Sequence, residues 1–222
     1  MLCVPVIGRD TQEVRQKTER ANSIADMLEM RLDLMDHVDL GEILHAARKP
    51  VIVTYRSQGE GGRGADDCSV RADYLAKAFE MGPELVDVEY SLPPELRRRI
   101  FDSKGASRVI VSTHLINGTP SRESLWKLFN SMATTGADIV KIVTRARSEE
   151  DNLRVLELIP LARRTGVNII AFCMGKAGRI SRIASLLMGG YLTFVSLEKG
   201  EESADGQISI VEMKQILSIL SP

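Results

Sequence analysis

The sequence lacks the features that mark several large protein classes. It has three cysteines, widely spaced and without a CxxC pair, so we expect neither a disulfide framework nor a zinc site. Its formal net charge of -1 gives no electrostatic reason to expect a nucleic-acid or membrane partner. No apolar run approaches the ~20 residues that a membrane-spanning helix needs, and residues 1–8 become polar too early for a signal peptide. We therefore expect a cytoplasmic protein with reduced thiols.

Short apolar runs alternate with longer amphipathic stretches along the chain. Seven of the eight runs are rich in Val and Ile or otherwise typical of buried parallel strands, and the last is partly polar. The runs are Leu2–Ile7, Ala25–Leu32, Val51–Tyr55, Leu85–Val88, Arg108–Ser112, Asp138–Val143, Val167–Phe172 and Tyr191–Leu197.

Helical patterns lie between these runs. Asp10 is a good N-cap for a helix over residues 11–22, and a second helix is predicted over 121–136. Residues 148–166 begin with acidic residues and end with arginines before Gly166, which complements the helix dipole. Residues 178–190 and 208–220 show apolar residues at helical spacing.

Eight strand–helix units in 222 residues predict a single-domain (β/α)₈ barrel spanning the chain. An open doubly wound sheet is the alternative, but such sheets usually have a glycine-rich first turn. Here the first strand leads into Gly8-Arg9-Asp10, without a GxGxxG motif. The glycine-rich residues 57–66 are interpreted as a mobile loop within the domain.

Lys141 stands inside an apolar strand, between Val140 and Ile142. Lysine is rarely buried, and burial disfavours its charged form and makes the amine a better nucleophile. The alternative is an edge lysine that extends to solvent. His114 ends the preceding strand, so it is expected near Lys141, where an imidazole can move protons.

Further charged residues follow the other strands, where the chemistry of a barrel is found. They predict either a structural layer of ion pairs or a pocket for a polyhydroxylated anion, with an arginine at a helix N-terminus as the anion site. No HxH, HExxH or P-loop motif suggests a metal or nucleotide. The residues are Glu29, Arg31, Asp33, Arg56, Glu60, Glu89 and Arg179.

The segments EMRLD, TYRSQGEGG, VIVSTH, DIVKIV, MGKAGRISR and SADGQIS resemble, in order and spacing, those of type I 3-dehydroquinate dehydratases. The resemblance covers essentially the whole chain and implies a (β/α)₈ barrel without a cofactor or metal. It implies the shikimate-pathway dehydration of 3-dehydroquinate to 3-dehydroshikimate, by syn loss of water through a Schiff base.

The resemblance also implies a role for each matching residue. Lys141 would form the imine, His114 would shuttle protons, and Glu60 would orient that histidine. The substrate-binding residues it implies are Glu29, Arg31, Arg56, Arg179, which would hold the carboxylate, and Ser203 and Gln207 in a closing loop.

The chain departs from the family pattern at a few positions. Cys173 stands where a serine is common, and Asp205 stands where the closing loop usually has proline. We expect Gly200–Gln207 to be a lid that substrate orders, and the charge of Asp205 to repel an anionic substrate. Another Schiff-base barrel lyase such as a class I aldolase, or a non-catalytic barrel, is the alternative function. A homodimer, or a domain of a fusion with shikimate dehydrogenase, stays open.

Overall fold

The computed structural model describes residues 1–220 and alternates strands with helices. Each of the eight predicted strands is present. They are β1 (Leu2–Val6), β2 (Met27–Arg31), β3 (Val51–Thr54), β4 (Leu85–Glu89), β5 (Arg108–Leu115), β6 (Ile139–Arg145), β7 (Asn168–Met174) and β8 (Thr193–Phe194). The strands belong to one sheet with the hydrogen-bonded order β7-β6-β5-β4-β3-β2-β1-β8.

The helices follow the strands in the order that a repeated strand–helix unit requires. They are α1 (Thr11–Asn22), α2 (Leu40–Ala46), α3 (Cys68–Glu80), α4 (Pro94–Asp102), α5 (Arg122–Ala133), α6 (Glu149–Leu156), α7 (Leu158–Thr165), α8 (Arg179–Leu187) and α9 (Ile210–Leu220). No helix within residues 1–220 is both long and apolar enough to cross a membrane.

Helix α1 starts where the sequence predicts, because the Asp10 side chain accepts a hydrogen bond of 2.9 Å from the Glu13 amide. The helix predicted over 148–166 is instead two helices that break at Glu157. Pro160 explains the break, since it has no N–H for the Leu156 carbonyl and its ring crowds that group. Gly166 ends α7 with a left-handed φ of 73°, as a helix C-cap requires.

The chain divides into two compact units. In the first unit, Val4–Val111, strands β2, β3 and β4 pair in parallel. Their register sets Glu29 beside Ile52, and Thr54 beside Asp87. Carboxylates are thereby built into the buried strands of this unit.

The second unit comprises residues 1–3 and the chain from Ser112 onward. Strand β6 pairs in parallel with β7 along its whole length, with Lys141 beside Ile170 and Val143 beside Phe172. Because side chains alternate along a strand, Lys141, Val143 and Arg145 share one face of β6.

Candidate active site

In the first unit, Arg56 is the centre of a buried network of charges. Its guanidinium lies 2.8 Å from Asp87, 3.1 Å from Glu89 and 3.3 Å from Glu60. Burial lowers the pKa of Arg56, but the charges of Asp87, Glu89 and Glu60 outweigh burial, so the pKa is raised. Arg56 is therefore a permanent, rigidly held cation.

Glu89 holds the loop after β3 as well as Arg56. One carboxylate oxygen accepts hydrogen bonds from the Ser57 amide at 2.8 Å and the Ser57 hydroxyl at 3.1 Å. The Gly64 amide also donates to the Arg56 carbonyl at 2.8 Å, and a Cβ at Gly62 would lie 2.2 Å from that oxygen. The segment predicted to be a mobile loop contains a hydrogen-bonded turn that needs glycine for its close approach.

Residues Glu29, Arg31 and Asp33 do not form the single strand face that alternation predicts. Glu29 is buried on β2, where it accepts a 2.8 Å hydrogen bond from the Thr54 hydroxyl. Asp33 lies beyond the strand in a short 3-10 turn, Leu32–Leu34. It accepts two hydrogen bonds from Arg31, at 2.9 and 2.8 Å, so two of the five N–H donors of that arginine are engaged.

Lys141 occupies the position that the sequence predicts, in the middle of β6 with 3% of its surface exposed. Its Nζ lies 4.3 Å from the centre of the Phe194 ring on β8. His114 is half-buried on β5, the strand next to β6 in the sheet. An amine and an imidazole are thus carried by adjacent strands of one unit.

The structure separates the two arginines at the start of α8. Arg179 is exposed, whereas Arg182 is 1% exposed, with its guanidinium carbon 4.6 Å from the centre of the Phe172 ring. Within the described part of the chain, Nε and Nη1 of Arg182 have no hydrogen-bond partner, and Nη2 donates to the Asp205 carbonyl at 3.3 Å. Burial lowers the pKa of Arg182 to about 10. A buried guanidinium with two unbonded nitrogens is well suited to bind an anion.

Arg182 was not predicted from the sequence, because the apolar spacing of α8 predicts that its polar residues face solvent. Ser181, Arg182 and Ser185 are one and three residues apart and form the buried face of α8. The structure therefore buries Arg182 and leaves Arg179 exposed.

The loop predicted to be a lid carries Ser203 and Gln207 in contact with each other. The Gln207 amide nitrogen donates to the Ser203 hydroxyl at 2.9 Å, and the Ser203 amide donates to the Gln207 side-chain oxygen at 2.8 Å. The Gly175 amide, after β7, donates to the Asp205 carbonyl at 3.2 Å. The loop is therefore joined to the turn that leads into α8.

Cys173 makes its contacts away from the lysine. Its sulfur lies 3.3 Å from the Thr144 hydroxyl and 3.7 Å from the Asp151 carbonyl of α6. Alternation along β7 sends Cys173 to the face opposite Phe172. Burial raises the pKa of the Cys173 thiol. The departure from serine thus lies on the helix-facing side of the sheet.

Comparisons with known proteins agree over the whole chain. A sequence model of the family described as type I 3-dehydroquinase matches residues 2–222. The 3-dehydroquinate dehydratase of Syntrophobacter fumaroxidans is 40% identical over 205 residues, which cover 87% of this chain and 86% of that protein. The 3-dehydroquinate dehydratase of Pyrococcus abyssi is 35% identical over 220 residues, which cover 99% of this chain and 98% of that protein.

A solved structure shows the same fold. The crystal structure of a type I 3-dehydroquinate dehydratase from Clostridium difficile matches with a TM-score of 0.89 at 26% identity, over 99% of this chain and 91% of that one. This match confirms the predicted (β/α)₈-barrel fold class. The chain belongs to the type I 3-dehydroquinase family.

Proposed function

We propose that this chain is a 3-dehydroquinate dehydratase, a hydro-lyase of the shikimate pathway that acts through an imine on Lys141. The observation that carries the proposal is a lysine with 3% exposure in the middle of a parallel strand, in a chain that matches the family from residue 2 to 222. Burial disfavours the charged form of an amine and makes it a better nucleophile, as Schiff-base catalysis requires.

The chemistry follows from the groups on β5 and β6. The Lys141 amine and the substrate ketone take up one proton and release one water to form a protonated imine. This cation withdraws electrons from the neighbouring carbon, so His114 can remove its proton without a metal. The hydroxyl then leaves as water with a proton from His114, and hydrolysis of the imine returns the lysine and the product.

The substrate carboxylate needs a cation, and we assign that role to Arg182 instead of Arg179. Two nitrogens of the buried Arg182 lack a partner within the described residues, and a bidentate carboxylate would satisfy them. Arg179 is exposed to water, where an ion pair contributes little. The predicted role of Arg179 stays open to the same measurement.

The remaining roles rest on the family resemblance. Glu29, Arg31 and Arg56 are proposed to bind the substrate hydroxyls, and Glu60 to orient His114. The buried network around Arg56 supports this proposal because it fixes the guanidinium before any ligand arrives. Ser203 and Gln207 are proposed to exchange their mutual hydrogen bonds for bonds to substrate.

The alternative functions have less support from the chain. A class I aldolase often binds a phosphate after its last strands, but here the residues after β8 include Glu198, Glu201 and Glu202. Nothing in the comparisons favours an aldolase. A cytoplasmic location and a homodimeric assembly stay predictions.

Reductive trapping tests the proposal. Borohydride added with 3-dehydroquinate should fix a stable adduct, and peptide mass spectrometry should place it on Lys141. Lys141→Met should give no adduct and no increase in the enone absorbance of the product. Lys176→Met, at an exposed lysine after β7, is the matched control and should behave as wild type. An adduct on another lysine would refute the mechanism.

A further inference from the structure

The Lys141 amine, the Arg182 guanidinium and two aromatic rings form a continuous row in the second unit. The Lys141 nitrogen lies 4.3 Å from the centre of the Phe194 ring. Phe194 meets Phe172 with ring centres 6.2 Å apart and planes at 60°. On the other side, the Arg182 guanidinium carbon lies 4.6 Å from the centre of the Phe172 ring. All four residues are buried, so water screens these interactions little.

Each contact has a defined physical effect. A ring face is electron-rich and attracts a cation within about 6 Å of its centre, most strongly when both are desolvated. Rings at a steep angle, with centres about 4.5–7 Å apart, are in the favourable edge-to-face range. Phe172 on β7 and Phe194 on β8 pack edge to face and have few χ angles to lose, so they form a rigid spacer between Lys141 and Arg182.

We propose that Phe172 and Phe194 are positioning residues, which set the spacing between the imine-forming nitrogen and the anion-binding guanidinium. Phe194 holds the Lys141 nitrogen over its ring face and favours its cationic states, which are the ammonium and the iminium. Phe172 supports Phe194 from the side and carries Arg182 on its face. The roles of Lys141 and Arg182 in this proposal rest on the proposed function.

The Phe194 ring should affect how the imine forms. The imine forms through a neutral carbinolamine, which becomes cationic when it takes up a proton and loses water. A ring face stabilises the cationic product of this step more than the neutral intermediate, so Phe194 favours formation of the iminium. Removing the ring should therefore slow turnover more than it weakens substrate binding.

The first experiment needs no substrate, so it does not depend on the proposed function. Trace acetic anhydride labels neutral amines, and labelling of Lys141 is measured against the exposed Lys176 in the same sample. At pH 8, Phe194→Leu should label Lys141 about 2- to 30-fold faster than wild type, because the ammonium has lost the ring. Two other ionisable side chains lie on the strands at Lys141, His114 on the adjacent β5 and Arg145 on the same face of β6, and both are unchanged in the comparison.

The pH dependence of the labelling rate shows whether Phe194→Leu changes the charge of the Lys141 amine or only its access to the reagent. The difference should vanish at high pH, where the amine is neutral in both proteins. An equal increase at every pH would mean that leucine merely opens the site, and no increase at pH 8 would remove the role of the ring; either result overturns the proposal. Phe129→Leu, at a buried phenylalanine of α5, is the matched control and should leave labelling unchanged.

Two further variants guard against a folding defect. Pentafluorophenylalanine at position 194 keeps the shape of the ring and reverses its charge distribution, so it should speed labelling as leucine does. Phe194→Trp keeps an electron-rich face and should keep labelling slow. Slow labelling with pentafluorophenylalanine at position 194, or fast labelling with Phe194→Trp, would refute the proposal.

The second experiment uses substrate and separates the two rings. Phe194→Leu should lower kcat by at least about threefold while borohydride still traps the adduct. Phe172→Leu should mainly raise KM, because Arg182 loses its platform. If both variants changed kcat and KM in the same proportions, the proposal would be overturned. If the proposed function itself failed, wild type would give no adduct on Lys141, and the labelling result would still stand.

Discussion

Arg145, the last residue of β6, and Asp205, in the loop after β8, form an ion pair with 3.1 Å between Nη1 and Oδ2. The sequence suggested that the Asp205 charge would repel an anionic substrate. In the structure Arg145 balances that charge and links the loop to the strand that carries Lys141. Both side chains are partly exposed, at 41% and 57%, so the pair should contribute at most about 1 kcal/mol.

Removing Arg145 should therefore expose the repulsion. We expect Arg145→Met to raise KM for the anionic substrate by up to about fivefold, with little change in kcat. The KM of this variant should fall as salt is added, because salt screens the uncompensated Asp205. Steady-state kinetics at several ionic strengths would measure both effects.

The double variant Arg145→Met/Asp205→Asn should return KM to the wild-type value, since neither charge is left. Arg147→Met is the control, because Arg147 bonds instead to the carbonyl of Asn117. A KM that stays high in the double variant would show that Arg145 acts on substrate by another route.

Arg182 and Arg179 should differ sharply when each is replaced by alanine. Arg182→Ala should raise KM by a factor that corresponds to about 1.5–3 kcal/mol, the value of a hydrogen bond to a charged group. Arg179→Ala should change KM little, because its side chain is exposed. Equal KM values for the two variants would contradict the assignment.

The same arginine should give a pH dependence in the alkaline range. The pKa of Arg182 is lowered to about 10 by burial, so its guanidinium is charged below that pH and loses its proton above it. Affinity for the carboxylate product should therefore fall as pH rises through about 10 in wild type. Titration calorimetry would measure this fall, and Arg182→Ala should lack it over the range in which circular dichroism shows a folded protein.

His114→Ala should lower kcat by more than the ~10²–10⁴ usual for one acid–base step, since the imidazole serves several steps. Substrate should still reach Lys141, so borohydride should still trap an adduct. His37, which is exposed in the loop after the 3-10 turn, is the control position. Near-normal turnover of His114→Ala would remove the histidine from the mechanism.

The strands were predictable because parallel strands buried on both faces have continuous apolar runs. Lys141 was predictable for the same reason, as a charge that interrupts such a run. Its contact with Phe194 was not, because β6 and β8 are far apart in the sequence and only the folded sheet brings the two side chains together.

Helix α8 shows why periodicity misled. Its apolar residues have helical spacing, which predicts that they are buried. Instead Ile180 is 57% and Leu187 is 47% exposed, while Ser181, Arg182 and Ser185 form the buried face. A helix that places a cation against an aromatic ring breaks the rule that polar faces meet water, so the position of Arg179 at the helix N-terminus was a poor guide to the anion site.

The buried carboxylate of Asp33 should make the stability of the fold depend on pH in acid. Burial raises the pKa of Asp33, but the hydrogen bonds and charge of Arg31, with the amides of Arg56 and Arg63, outweigh burial and lower the pKa below 3.8. Because the folded protein binds this proton less readily than the unfolded chain, Asp33 stabilises the fold above its ordinary pKa. That stabilisation is lost as pH falls from about 3.8 through the lower folded-state value.

Asp33→Asn removes the charge that pairs with Arg31, so the free energy of unfolding at pH 7 should fall by about 3 kcal/mol, the lower end for a broken buried pair. The lower end applies because the Arg31 side chain keeps 12% of its surface exposed. The difference from wild type should shrink as pH falls below 3.8, because Asp33 in wild type then takes up its proton. Urea unfolding at pH 7 and pH 3 would measure this change. Asp36→Asn, at an exposed aspartate three residues along the chain, should show no such difference at either pH, and a constant difference for Asp33→Asn at both pH values would mean that shape, and not charge, makes Asp33 important.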